Sequence, residues 1–167
     1  MNIELIKNLT AFVVLLLAQV LVLGHIHLFD CATPLLFVYF TLRTRRGVPR
    51  WVTLVWSFLL GLAVDVFTNT PGVAAASMTL VAFVQPFLLE LFLSRDSAED
   101  LLPSVGALGV GKYAAYALIL ILLFCLCFFS LEAFNFYNLS QWLACVGGSA
   151  ALTYVLVFAV DNLRGGR

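Results

Sequence analysis

The sequence predicts an all-α, polytopic membrane protein built as a bundle of six transmembrane helices. Hydrophobic residues make up 63% and charged residues 11% of the 167 residues, against about 45–50% and about 25% in soluble domains. The mean hydropathy is +1.06. The net charge is zero and no basic stretch exceeds four residues. This composition excludes a soluble enzyme, a disordered tail and a nucleic-acid-binding protein, because each needs more polar or basic surface.

Six apolar segments are candidates for membrane helices, for which about 20 apolar residues suffice. The first segment is longer than the apolar run of a signal peptide and no small-x-small site follows it, so we expect it to be retained. The second is short and opens with Pro34, a residue favoured in a first helical turn. No connector is long enough to fold separately, so residues 1–167 form a single membrane domain. The predicted helices cover residues 9–28, 32–42, 51–67, 72–93, 113–134 and 139–160.

The positive charges predict the orientation of the bundle. All nine Lys and Arg residues lie at the N-terminus, after the second segment, after the fourth segment or at the C-terminus. The connectors on the other side, residues 24–31, 68–71 and 135–138, hold none. Cytoplasmic connectors carry the excess of Lys and Arg, so both termini are predicted to be cytoplasmic. Without the second segment this charge pattern would break, which supports six crossings.

The most informative stretch runs from the third segment into the fourth, over residues 61–72. Ser57, Gly61 and Asp65 are four residues apart and share one helix face, where small residues permit close helix packing. A carboxylate in a membrane span is a functional candidate by default. The structural alternative is that Asp65 bonds the turn or the free N–H groups of the next helix. In that case Asn should cap nearly as well.

The charge distribution also limits the partners of Asp65. No Lys or Arg lies on its side of the membrane, so the carboxylate is protonated, or it bonds the turn, His25 or His27, or a group on another protein. The two histidines do not predict a metal site, because side chains two residues apart do not converge on a helix and zinc needs three or four ligands.

The remaining motifs predict no enzyme, no cofactor and no metal. Residues 106–112 match the start of the phosphate-binding G-x-x-x-x-G-K loop, but Tyr113 replaces the Ser or Thr that binds Mg²⁺. No nucleophile–base arrangement is evident. Glu90 and Asp161 are expected to be snorkelling or paired charges near the inner interface.

A group of arginines follows the second segment. They are candidates for contact with anionic headgroups of the phospholipid bilayer or with a cytosolic partner, although membrane topology alone also accounts for them. These residues are Arg43, Arg45, Arg46 and Arg50.

The layout of the chain resembles the bacterial rod-shape-determining protein MreD family. The likeness rests on six short segments, on Pro34 opening the second, and on G-L-x-x-D followed by T-P-G, which includes Pro71 and Gly72. It covers the whole chain in layout and is specific over residues 61–76. It implies a non-enzymatic inner-membrane scaffold of the cell-elongation complex, which acts with MreC on cell shape and lateral peptidoglycan synthesis. The MreB filament and the peptidoglycan synthases are implied as indirect partners.

The resemblance also implies a fold similar to the substrate-binding subunits of energy-coupling-factor vitamin transporters. That similarity supplies the alternative function, a membrane subunit that binds a small vitamin in an outward-facing cavity and docks on a transport ATPase. Such a subunit usually needs polar residues that converge on the cavity, and the outer side of this chain offers few.

Overall fold

A computed structural model describes residues 2–22, 34–93, 101–132 and 139–165, and the regular structure of these residues is helical. Four helices are long and apolar enough to cross a membrane, which confirms the all-helical class and is consistent with a multi-pass membrane protein. The helices are α1 (Asn2–Leu17), which continues as a π-helical turn (Ala18–Val22), α2 (Val38–Leu42), α3 (Arg50–Thr68), α4 (Val73–Phe92), α5 (Val105–Leu108), α6 (Val110–Glu132) and α7 (Leu139–Gly165).

The four long helices α3, α4, α6 and α7 correspond to the third to sixth predicted segments. Their bounds differ by a few residues: α6 begins at Val110 rather than at residue 113, and α7 continues to Gly165 rather than ending at residue 160. The first helix begins at Asn2 instead of residue 9. The outer end of the first segment, with His25 and His27, lies outside the described residues.

The second segment differs most from its prediction. Helix α2 has five residues and rises about 7.5 Å, whereas the hydrocarbon core is about 30 Å thick. Pro34 lies ahead of this helix and not in its first turn. The part of the segment before Pro34 lies outside the described residues.

Side chains from distant helices explain why the chain around Pro34 is not helical. Gln19 donates a hydrogen bond to the Pro34 carbonyl (3.1 Å) and accepts one from the Leu36 N–H (3.0 Å). The hydroxyl of Thr153 accepts the Leu35 N–H at 3.0 Å. These partners replace intrahelical bonds, and non-helical backbone at membrane depth is tolerated where protein surrounds it in this way.

The core of the bundle forms around this short segment. Helices α3 and α4 make a hairpin, α4 packs against α6, and α6 packs against α7, while α2 contacts α1, α3, α4 and α6. Phe37 is fully buried, and its ring meets that of Phe124 edge to face at 5.2 Å. The outer face of α3 is apolar and exposed at Phe58, Leu62 and Val66, as expected of a surface in contact with lipid.

The loop after α2, the segment before α5 and the end of α7 meet at one end of the bundle. The Arg46 N–H donates to the carbonyl of Leu101 at 3.3 Å, which joins the loop after α2 to the segment before α5. The Val105 N–H, at the start of α5, donates to the Asp161 carboxylate near the end of α7 at 2.9 Å. The α3–α4 turn lies at the opposite end of α3.

Candidate functional site

Asp65 holds α3 and α4 together with both its backbone and its side chain. Its carboxylate is buried and accepts hydrogen bonds from the N–H groups of Ala74 and Ala75, each at 2.9 Å. The Thr70 hydroxyl donates to the same carboxylate at 3.0 Å. The backbone carbonyl of Asp65 accepts the N–H groups of Asn69 and Thr70. One residue therefore stabilises the end of α3 and the start of α4.

The turn between the helices places the first N–H groups of α4 over Asp65. Asn69 and Gly72 adopt positive φ angles of 59° and 86°, a region open to glycine and tolerated by asparagine. Pro71, between them, has a φ fixed near about −65° by its ring. Gly72 is the N-cap of α4 and has no side chain to cap it. N-cap side chains normally accept a hydrogen bond from the second or third N–H of a helix. Asp65 accepts from both of these N–H groups of α4 and so performs this function from the preceding helix.

Gly61 lies directly against the start of α4. A Cβ atom added to it would lie 2.6 Å from the Cα of Ala75 and 2.7 Å from the carbonyl oxygen of Ala74. Ser57, one turn earlier, is fully buried, and its hydroxyl lies 3.0 Å from that of Thr41 in α2. The face of α3 that carries the small residues is therefore packed against α4 and α2.

The polar groups at the junction of α3 and α4 stabilise the packing of these two helices. Both carboxylate oxygens of Asp65 accept from α4, where a negative charge is favoured by the helix dipole. Of the interpretations offered for Asp65, helix capping fits these hydrogen bonds. The turn and the start of α4 supply the hydrogen-bond partners of the carboxylate.

A second polar set lies in the core, and the sequence analysis missed it. Gln85 of α4 donates to the Tyr116 hydroxyl at 3.0 Å and to the Thr44 carbonyl at 3.4 Å. Tyr116 in turn donates to the Leu42 carbonyl at 3.2 Å. These bonds tie the end of α2 to α4 and α6. A single glutamine within an otherwise apolar run was the available signal, since polar residues in spans usually face the bundle interior.

Asp161 is buried rather than snorkelling at the interface, and the sequence-based expectation is corrected on this point. The side chain is 3% exposed. It accepts from the Tyr39 hydroxyl at 3.1 Å and from the Val105 N–H at 2.9 Å. Arg43 donates to the same tyrosine oxygen at 3.0 Å. Asp161 and Arg43 are therefore linked through the Tyr39 hydroxyl and are not paired directly.

The four arginines after α2 occupy different positions. Arg43 donates a hydrogen bond to the Tyr39 hydroxyl, and together with Arg45 it lines a cavity of about 690 Å³. The Arg50 guanidinium lies 4.7 Å from the centre of the Phe87 ring on α4. Arg45 also borders a smaller cavity of about 240 Å³, together with Arg46, Arg50 and Glu90.

The glycine-rich segment that resembled a phosphate loop is a loop around α5. Gly109 links α5 to α6 with a φ of 83°, and a Cβ on Gly106 or Gly111 would meet no atom within 4 Å. Gly109 therefore serves the turn between α5 and α6, whereas Gly106 lies in α5 and Gly111 in α6, and neither is needed for a close helix approach. Within the ranges that the structure describes, no three His, Cys, Asp or Glu side chains are grouped so as to hold a metal ion.

The fold is all-helical over the described residues, with four helices long and apolar enough to cross a membrane and with buried hydrogen bonds at the α3–α4 junction and in the core. Comparison with known proteins adds no relative, because no family model, no curated protein and no solved structure matches the chain.

Proposed function

We propose that this protein is a non-enzymatic scaffold of the bacterial cell-elongation complex, in the inner membrane, with an MreC-like bitopic protein as its partner. The α3–α4 junction is the observation that carries the proposal. The residues over which the resemblance to the MreD family is specific, 61–76, form one continuous unit, in which Gly61 packs on α4 and Asp65 caps it. A motif that fixes two helices suits a protein that presents helix surfaces to a partner.

We further propose six crossings with both termini in the cytoplasm. In this proposal four crossings are α3, α4, α6 and α7, which are long and apolar enough to cross a membrane, and the first two predicted segments supply the others. The meeting of the loop after α2, the segment before α5 and the end of α7 at one end supports this topology, because the cations of the chain belong to these regions and to the N-terminus. In this arrangement α2 is the inner end of the second crossing.

The alternative, a vitamin-binding transporter subunit, is less well supported. It needs an outward-facing cavity with converging polar groups. The 690 Å³ cavity lies instead beside Arg43 and Arg45, at the proposed cytoplasmic end. At the other end the carboxylate of Asp65 is occupied by hydrogen bonds to α4.

Affinity purification followed by mass spectrometry tests the scaffold proposal. The tagged protein is extracted from bacterial membranes in a mild detergent, with untagged membranes as the background control. We expect enrichment of a single-span protein with a periplasmic domain. Recovery should fall in Gly61→Leu, which separates α3 from α4. Enrichment of a transport ATPase, or of neither class of protein, would contradict the proposal.

A further inference from the structure

We propose that the cavity at the cation-rich end of the bundle binds one anionic phospholipid of the cytoplasmic leaflet. This inference goes beyond the scaffold function and rests on the proposed topology, which places this end of the bundle at the cytoplasmic membrane surface. The cavity lies between α1, α2 and α3, and Leu102 and Val160 complete its wall. Its volume of about 690 Å³ falls within the range of about 300–1,000 Å³ typical of small-molecule sites.

The deeper wall of the cavity is apolar. Leu15 of α1, Phe40 of α2 and Trp56 of α3 contribute to it. Trp56 is held in place by an edge-to-face contact with Phe12, with ring centres 5.9 Å apart. Along α1 the lining extends from Asn8 to Ala18, about 15 Å at about 1.5 Å per residue. This length suits the upper part of an acyl chain.

The shallow end of the cavity is polar and positively charged. Asn8, Arg43 and Arg45 line it, and among the described lining residues there is no Asp or Glu. The nearby Asp161 is engaged by Tyr39 and by the Val105 N–H. A guanidinium carries five donors, so the bond from Arg43 to Tyr39 leaves donors for a phosphate.

The order of these two zones identifies the ligand class. Positive charge at the membrane surface, followed by apolar wall toward the membrane interior, matches a phosphodiester headgroup with its attached chains. Basic pockets between membrane helices on the cytoplasmic side bind anionic headgroups in this way. Free phosphate would contact the arginine end alone and leave the apolar wall unfilled.

Fluorescence quenching by brominated lipids tests this site, because Trp56 lines it. Trp51→Phe and Trp142→Phe leave Trp56 as the single reporter in the full-length protein. The reporter is reconstituted in phosphatidylcholine vesicles that contain an equal fraction of brominated phosphatidylglycerol or brominated phosphatidylcholine. We expect stronger quenching by phosphatidylglycerol, without relief by added inorganic phosphate. Equal quenching by both lipids, or relief by phosphate, would overturn the proposal.

Charge variants locate the selectivity. Arg43→Gln and Arg45→Gln should each lower the preference for phosphatidylglycerol about fivefold, the equivalent of about 1 kcal/mol per basic side chain at an anionic surface. Arg50→Gln is the matched control, because it removes the same charge from a side chain that lies on Phe87. An equal loss in Arg50→Gln would show a general charge effect and refute the site.

A volume variant tests the site independently of charge, in case Arg43→Gln disturbs the Tyr39 network. Ala11 lines the cavity, and Ala11→Phe should fill it and abolish the preference. Ala144→Phe adds the same bulk at an exposed position of α7 and should retain the preference. Thermal unfolding establishes that each variant is folded. Unchanged selectivity in folded Ala11→Phe would refute binding in this cavity.

Discussion

Asp65→Asn is the substitution that separates capping from partner binding most directly. The carboxylate uses one oxygen for the Thr70 hydroxyl and the Ala74 N–H, and the other oxygen for the Ala75 N–H. An amide has one oxygen and one NH₂ group. Whichever way the Asn side chain is oriented, one N–H of α4 faces the amide NH₂ group instead of an oxygen. The structure therefore revises the expectation that Asn would cap nearly as well.

The size of the effect follows from two contributions. A buried N–H left without its acceptor costs about 1–3 kcal/mol. Loss of the negative charge at the start of α4 adds about 0.3–1 kcal/mol. The sum is about 1–4 kcal/mol, and at about 2–4 °C per kcal/mol for a chain of this size the Tm should fall by roughly 2–16 °C. Asp65→Leu should cost more, because all three donors then lose their acceptor.

The assay combines thermal unfolding of the purified protein in detergent with recovery of the proposed MreC-like partner. Glu90→Gln is the matched control: it makes the same chemical change at an exposed position of α4, where the effect should stay within about 0.5 kcal/mol. A wild-type Tm for Asp65→Asn would refute the capping argument. A wild-type Tm together with lost partner recovery would make Asp65 an interaction residue.

Three further predictions follow from the junction and the topology. Gly61→Ala should lower stability by about 1–3 kcal/mol in thermal unfolding, because the added Cβ meets the backbone of α4. Gly147→Ala, with open space around the glycine, should leave stability unchanged, and equal effects of the two variants would contradict the close packing. Ser57→Ala should lower stability by about 1–3 kcal/mol, since the buried Thr41 hydroxyl loses its oxygen partner at 3.0 Å and keeps only the weaker contact with the Met78 sulfur at 3.9 Å, and an unchanged Tm would contradict this. Reporter fusions at Gly47 and Asn69 should lie inside and outside respectively, and an outside signal at Gly47 would contradict six crossings.

The sequence was sufficient to predict the all-helical class and the four long helices, because long apolar runs determine both. It also offered the N–H groups at the start of the next helix as one of several possible partners for Asp65, and these groups do bond it, but the side-chain partner in the turn is Thr70 and not Thr68 or Asn69. It did not predict the form of the second segment. The chain around Pro34 is held by Gln19 and by Thr153, and the hydrogen bond that the Leu35 N–H donates to Thr153 joins residues 118 positions apart. No local pattern encodes such a contact.

Asp161 shows the same limit for charged residues. Its position near arginines was predicted from the topology, but its burial was not. The hydrogen bond from Tyr39 to Asp161 joins residues 122 positions apart. Composition and spacing locate a charge relative to the membrane surface, whereas its burial depends on which helices pack around it.

The distribution of polar groups suggests how such a protein would recognise a partner within the membrane. Lipid supplies no hydrophobic force between helices, so their arrangement depends on packing and on interhelical hydrogen bonds. Here the described interhelical bonds concentrate on α2 and on the α3–α4 junction, where Thr41 and Asp65 lie buried. The outer face of α3 presents Phe58, Leu62 and Val66. Recognition through such a face depends on shape, so junction variants should affect a partner only by moving the helices that present it.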